Sequence, residues 1–201
     1  VPRHGVAPLN FPAQPTLCLC HNSFPYYLPM QKLLIPFCLA LLLLFPPLNA
    51  MEADDARTLK FFHTHTGQSL EVTYYQNGLY LLEPMEDLRD FLADWRNGEK
   101  KEIDPKLMDI LWRIQQTTGN TDTFEVISAF RSPGTNRHLR SKSKGVAQTS
   151  QHIVGKAIDV RLRGLETKEL RDIALELKLG GVGFYAKNDF VHVDTGRVRR
   201  W

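Results

Sequence analysis

Two stretches of this chain carry side chains that could together hold a metal. The first reads Ser150-Gln151-His152-Ile153-Val154-Gly155-Lys156-Ala157-Ile158-Asp159 and the second Phe190-Val191-His192-Val193-Asp194. A catalytic zinc takes three protein ligands of imidazole or carboxylate type and keeps a fourth position open for water. His152, Asp159 and His192 supply such a set. Gly155 allows a tight turn between His152 and the run that carries Asp159. A His and an Asp at this separation are common, and a single His more often belongs to a core or a surface, so spacing alone leaves metal binding one reading among several. Ser150 would either hydrogen-bond a substrate or orient His152.

The elements that must position these residues follow from periodicity. Residues 157–162 (AIDVRL) alternate as a strand, with Ile158, Val160 and Leu162 on one face and Asp159 on the other. Residues 190–194 (FVHVD) form a last strand with Phe190, His192 and Asp194 on one face. Both candidate ligands then lie mid-strand on a polar face, where neighbouring strands can aim them into one cleft. Strands are also expected at 59–63, at 70–82 with a hairpin at Gln76-Asn77-Gly78, and at 124–130. The spacing of Leu88, Phe91, Leu92 and Trp95 predicts a helix over 85–97, ended by Gly98. Asp104-Pro105 caps a second helix ending near Gly119. Residues 134–144 read as a short basic helix and loop. Thr167 caps a further helix, closed by Gly180-Gly181. Short strands joined by hairpins and irregularly interleaved with helices indicate an α+β fold, one domain with a mainly antiparallel sheet flanked by helices.

Composition narrows the chemistry. The 201 residues hold 25 Lys+Arg and 22 Asp+Glu, but residues 1–50 contain two of the basic residues, none of the acidic ones and all three cysteines. That leaves 51–201 with 23 basic and 22 acidic side chains, a balance that gives no sign of a nucleic-acid partner. It also leaves that part without Cys, which excludes a disulfide scaffold and a thiol nucleophile there. Within 30–50, Lys32 precedes an apolar run from Leu33 to Phe45, then Pro46-Pro47 and a small residue, Ala50. This is the order of a secretory signal peptide, with cleavage expected after Ala50. The run is shorter than the roughly 20 residues a membrane span needs, so no stable span is expected after cleavage. Residues 1–29, Pro-rich and without an initial Met, read as sequence upstream of the true start.

SAFRSPGTNRHLR (128–140), GVAQTSQHIVGKAIDVRLRG (145–164) and GGVGFYAKNDFVHVDTGRVRRW (180–201) resemble the murein endopeptidase K type of zinc peptidase. That type belongs to the D-Ala-D-Ala metallopeptidase superfamily, whose fold also underlies the hedgehog signalling domain. The resemblance runs from about Arg57 to Trp201. It implies one Zn2+ held by His152, Asp159 and His192, in a periplasmic enzyme that hydrolyses the peptide cross-links of murein. Which cross-link is cut, 4→3 or 3→3, stays open, and the enzyme is expected to act as a monomer.

A carboxylate would take a proton from the attacking water and pass it to the leaving amine. Asp189 occupies the position where better-known members of the superfamily place a Glu base. Asp194 lies on the strand face of His192 and belongs to the H-x-D-T-G motif, so it is the preferred candidate, as base or as a residue that orients the ligand. Arg131 resembles the superfamily Arg that faces the substrate carbonyl or carboxylate, a role that suits its planar donor fork. His63 and His65 form an H-x-H pair, but the motif places no zinc there; Gln68 stands where the family's early H-T-G segment is usually followed by Glu. Ser141-x-x-Lys144 matches a penicillin-binding-protein nucleophile motif without its companions and reads as a solvated basic loop. The basic tail, Arg197 to Trp201, reads as partial packing by Trp201, with the arginines solvated or facing anionic murein peptides. The rival to an enzyme is a non-catalytic module that binds murein peptide through zinc.

Overall fold

Asn77 and Gly78 both adopt positive φ (51° and 81°), the backbone of a tight primed turn. They fold the expected hairpin from β2 (Ser69–Gln76) and β3 (Leu79–Tyr80). The computed structural model describes residues 55–201 except Lys144; the signal segment and the upstream stretch lie outside the described residues. The remaining strands are β1 (Arg57–His63), β4 (Phe124–Ser128), β5 (Ala157–Leu162), β6 (Gly181–Tyr185), β7 (Phe190–Asp194) and β8 (Arg199–Arg200). They form one sheet in the order β3-β2-β1-β4-β5-β7-β6-β8. β1 with β4 and β6 with β8 are parallel, and the other pairings are antiparallel. The α+β class and the mainly antiparallel sheet are as expected.

Among the described residues, four α-helices accompany the sheet: α1 (Leu82–Phe91), α2 (Pro105–Thr118), α3 (Pro133–Lys142) and α4 (Thr167–Leu177). α2 begins where Asp104 accepts a hydrogen bond from the Lys106 N–H and Pro105 fills the first turn; Gly119, at φ 67°, ends it. Its Leu107, Leu111 and Ile114 are fully buried with Phe61, Phe124, Ile158 and Val160 of the sheet. α4 packs on α2 and on β5, β6 and β7. The alternation in β5 thus turns Ile158 and Val160 into this core and leaves Asp159 for the other face. No helix among the described residues is long and apolar enough to cross a membrane.

Four local expectations need correction. The helix over 85–97 instead spans Leu82–Phe91, and Trp95 lies in the loop beyond it. The cause is Asp94, whose carboxylate is buried and accepts from the Ser132 N–H (3.0 Å) and the Arg96 N–H (3.2 Å), bonds that compete with continued helix. The strand at 124–130 ends at Ser128. Thr167 does not cap α4: Glu166 holds the cap position, and the Thr167 hydroxyl donates to Asp189 (2.7 Å). α4 closes at Lys178 in left-handed backbone (φ 52°), whereas Gly180 and Gly181 press against Asp194 and Arg199.

A short 3-10 helix, Gln151–Val154, carries His152 and ends at Gly155 (φ 69°). A Cβ at Gly155 would collide with the backbone carbonyl of Glu102, and the Gly155 carbonyl accepts from the Asp104 N–H (2.9 Å). The His152 turn is thereby seated on the start of α2. Gly155→Ala should lower stability by at least about 1–2 kcal/mol, from left-handed strain alone. Thermal or urea unfolding checks this; a variant as stable as the parent would show that the turn is not held here.

Candidate metal centre

In the antiparallel pairing of β5 and β7, Asp159 stands directly opposite His192. The 3-10 helix brings His152 beside them, its start fixed by the Ser150 hydroxyl, which accepts from the His152 N–H (3.3 Å). All three side chains are buried. His152 Nε2 lies 3.1 Å from His192 Nδ1 and 3.3 Å from Asp159 Oδ1, and His192 Nδ1 lies 2.9 Å from Asp159 Oδ1. Among the described residues, this is the one cluster of three that could hold a metal ion.

The outward ring nitrogens determine what the inward ones can do. His152 Nδ1 lies 2.6 Å from the Ala129 carbonyl, which can only accept, so this nitrogen carries the proton and Nε2 presents a lone pair. His192 Nε2 lies 2.9 Å from Asp194 Oδ2 and donates to it, leaving Nδ1 facing inward. Two imidazole nitrogens and a carboxylate oxygen thus point at one another, and they need a cation between them, a proton or a metal. Ligands at the roughly 2.0–2.1 Å typical of zinc, arranged tetrahedrally, would stand about 3.3 Å apart. The observed separations fit that spacing.

Charge follows the same geometry. Burial pushes the His152 pKa below the ordinary histidine value despite the pull of Asp159. Burial opposes charge on His192 too, but hydrogen bonds to Asp159 and Asp194 outweigh it and raise its pKa. Burial would raise both carboxyls; His152 and His192 instead hold Asp159 far below the usual carboxylate range, and His192 and Arg199 do the same for Asp194.

Asp194 is fully buried and saturated. Besides His192, it accepts from Arg199 (2.7 and 3.0 Å) and from the backbone N–H groups of Gly196 (2.8 Å) and Gly181 (3.3 Å). Asp189 is placed elsewhere. It sits at positive φ (52°) after a turn, exposed, with its carboxylate on the Thr167 hydroxyl and 3.4 Å from Arg161. It lines a small separate pocket and does not reach the cluster. Arg131, only 8% exposed, leans over Asp159 with a guanidinium nitrogen 3.8 Å from Oδ2, and its Nε has no partner.

The cluster forms the floor of a cleft of about 530 Å³, which Arg131 and Ser150 also line. Three further residues contribute, Trp201, Gly183 and Arg199, and of these the sequence pointed only to partial packing of Trp201. Trp201, half-exposed, has its ring 5.1 Å from that of His192, and its indole N–H donates to the Tyr185 hydroxyl (2.9 Å). A Cβ on Gly183 would strike that indole ring, so the GGVGFY segment is a strand whose glycines leave room for Trp201. Arg199, expected in solvent or facing murein peptides, instead pairs with buried Asp194. His65 also lines the cleft, stacked on Trp95 at 4.1 Å, but stands outside the ligand cluster, and His63 is buried.

Residues 51–201 match the family model described as peptidoglycan L,D-endopeptidase MepK. The chain belongs to that family. It is 36% identical over 156 residues to peptidoglycan L,D-endopeptidase MepK of Escherichia coli (strain K12), covering 78% of this chain and 86% of the relative. It is 36% identical over 155 residues to the probable peptidoglycan L,D-endopeptidase MepK of Haemophilus influenzae, covering 77% and 83%. No solved structure is a significant match. Membership in the MepK family bears out the resemblance read from the motifs and makes the chain a peptidase rather than a binding module.

The ring-nitrogen assignment is open to a direct check. Long-range 1H–15N correlation spectra of the metal-free protein should show His152 protonated at Nδ1. A spectrum with the proton on Nε2 alone would remove its inward lone pair and with it the ligand geometry.

Proposed function

We propose that this MepK-family chain is a zinc-dependent endopeptidase of the periplasm that hydrolyses an L,D amide cross-link of peptidoglycan. The observation that carries this reading is the convergence of His152 Nε2, Asp159 Oδ1 and His192 Nδ1, with the outer nitrogen of each imidazole already committed to an acceptor. The relatives' names specify a bond between an L and a D centre. In murein that describes the 3→3 cross-link between two diamino acids; the 4→3 link joins two D centres. Peptidoglycan lies outside the cytoplasmic membrane, and the signal-like run of 30–50 supports export.

His152, Asp159 and His192 would hold the ion, two neutral imidazoles and one carboxylate leaving a single positive charge at the site. Zinc bound there supplies Lewis acidity toward the scissile carbonyl and toward a water. Arg131, with an unused donor in the cleft, stabilises the carbonyl oxygen as it gains negative charge. Asp194 fixes the proton on His192 Nε2 and the ring's orientation, the role of a carboxylate behind a metal-bound histidine. Its oxygens are engaged by five donors, which favours that orienting role over the alternative of proton acceptor. The distant position of Asp189 supports no role in proton transfer. Ser150 acts by seating the His152 turn.

Incubation of the protein with murein sacculi should release muropeptides, cease on chelation and recover on addition of zinc, with one zinc per chain by elemental analysis. His152→Ala and His192→Ala should lose both the metal and the activity. Metal-independent release, or binding without products, would overturn the reading. The two carboxylates separate by their variants: Asp194→Ala should lower zinc affinity or activity about 10- to 100-fold, whereas Asp189→Ala should stay near the parent rate.

A further inference from the structure

Arg96 faces the same cleft from the loop after α1 and has no part in holding the metal residues. Its guanidinium rests on the Trp95 ring (4.2 Å to the centroid), the ring on which His65 also stacks. Its nearest carboxylate, Asp94, lies 3.6 Å away and is already engaged by the backbone N–H groups of Ser132 and Arg96 itself. Ser132 follows Arg131, so one buried carboxylate braces both the loop of Arg96 and the residue beside Arg131. Arg131 is poorly satisfied: 3.8 Å from Asp159, 3.4 Å from the Asn136 side-chain oxygen, and with Nε unpartnered although buried. Arg131 and Arg96 thus bring two like charges to one cleft. Burial and then the same Arg96 charge lower the His65 pKa. Donors are in excess of acceptors on this wall, and a bound anion would relieve the mutual repulsion.

We infer that Arg96 forms a subsite for a free carboxylate of the substrate peptide, next to Arg131 at the scissile carbonyl. This rests on the peptidase reading above. In a murein cross-link the scissile nitrogen belongs to the D centre of a diamino acid, and that centre's own carboxylate is attached to the same carbon. The anion therefore stands two bonds from the nitrogen whose bond is cut, and cleavage at the metal centre brings it into the cleft. A guanidinium held over an indole offers paired N–H donors to a carboxylate. An amide at the same place brings N–H donors of its own against the two arginines. Arg96 is thus a specificity-determining residue that reads whether this carboxylate is free or amidated.

The test uses two 3→3 cross-linked muropeptide dimers, identical except that the carboxylate beside the scissile nitrogen is free in one and amidated in the other. The parent enzyme should favour the free acid in kcat/KM by about 10- to 100-fold, the range for hydrogen bonds to a charged group. Arg96→Gln should erase that preference, raising KM for the free acid while kcat stays near the parent value. Arg96→Lys should keep part of it. A misfolded variant would lose both substrates together, so the ratio between substrates separates recognition from structure. Equal cleavage of the two dimers by the parent, or an unchanged ratio in Arg96→Gln, would overturn the subsite and leave the peptidase reading intact. Cleavage of neither dimer by the parent would end that reading and this inference with it.

Discussion

One buried carboxylate links the sheet edge to the chemistry. Asp194 has no exposure to solvent and would be costly to hold ionised without partners. It gathers them from four directions: the ring of His192 on its own strand, the guanidinium of Arg199 on β8, and the backbone of Gly181 and Gly196. Satisfying that charge fixes the tautomer of His192 and ties β6, β7 and β8 into one unit. Lone-pair direction at the His152–Asp159–His192 cluster and the end of the fold thus share a cause.

The cluster itself follows from strand register. Side chains alternate across a strand, so a shift by one residue would send Asp159 or His192 into the apolar core. Ile158, Val160, Val191 and Val193 prevent that shift by their own burial. Hydrophobic packing on one face therefore holds Asp159 and His192 level on the other. His152 comes from a separate segment, and its position depends on the Gly155 turn seated against the start of α2. Its ring is oriented by the Ala129 carbonyl at the end of the β4 segment.

Around the floor, the cleft has two unlike walls. Trp201 and Tyr185 present aromatic surface on the β6–β8 side, and Arg96 and Arg131 present positive charge braced by buried Asp94. Such a cleft suits a ligand with apolar length and anionic groups, as the cross-linked stems of murein provide. The nearly neutral net charge of 51–201 conceals this, because charge here is organised locally rather than in total.

Much of the candidate metal site was legible without coordinates. The alternations AIDVRL and FVHVD assign Asp159 and His192 to polar strand faces, His152 completes a ligand-type set with them, and the motifs around all three resemble a zinc peptidase type. Asp104-Pro105 and Asn77-Gly78 locate a helix start and a hairpin because capping and positive φ are local demands. The structure alone could separate Asp194 from Asp189: both lie within three positions of His192, yet one is buried beneath its ring and the other turns away to Thr167 and Arg161. Only the structure could bring Trp95 out of its expected helix, draw Arg199 from solvent, and set Trp201 over glycines that local propensity reads as loop. Local patterning determines which face a residue occupies. Which partner waits there depends on segments distant in sequence, and that is decided when buried charge is matched across the fold.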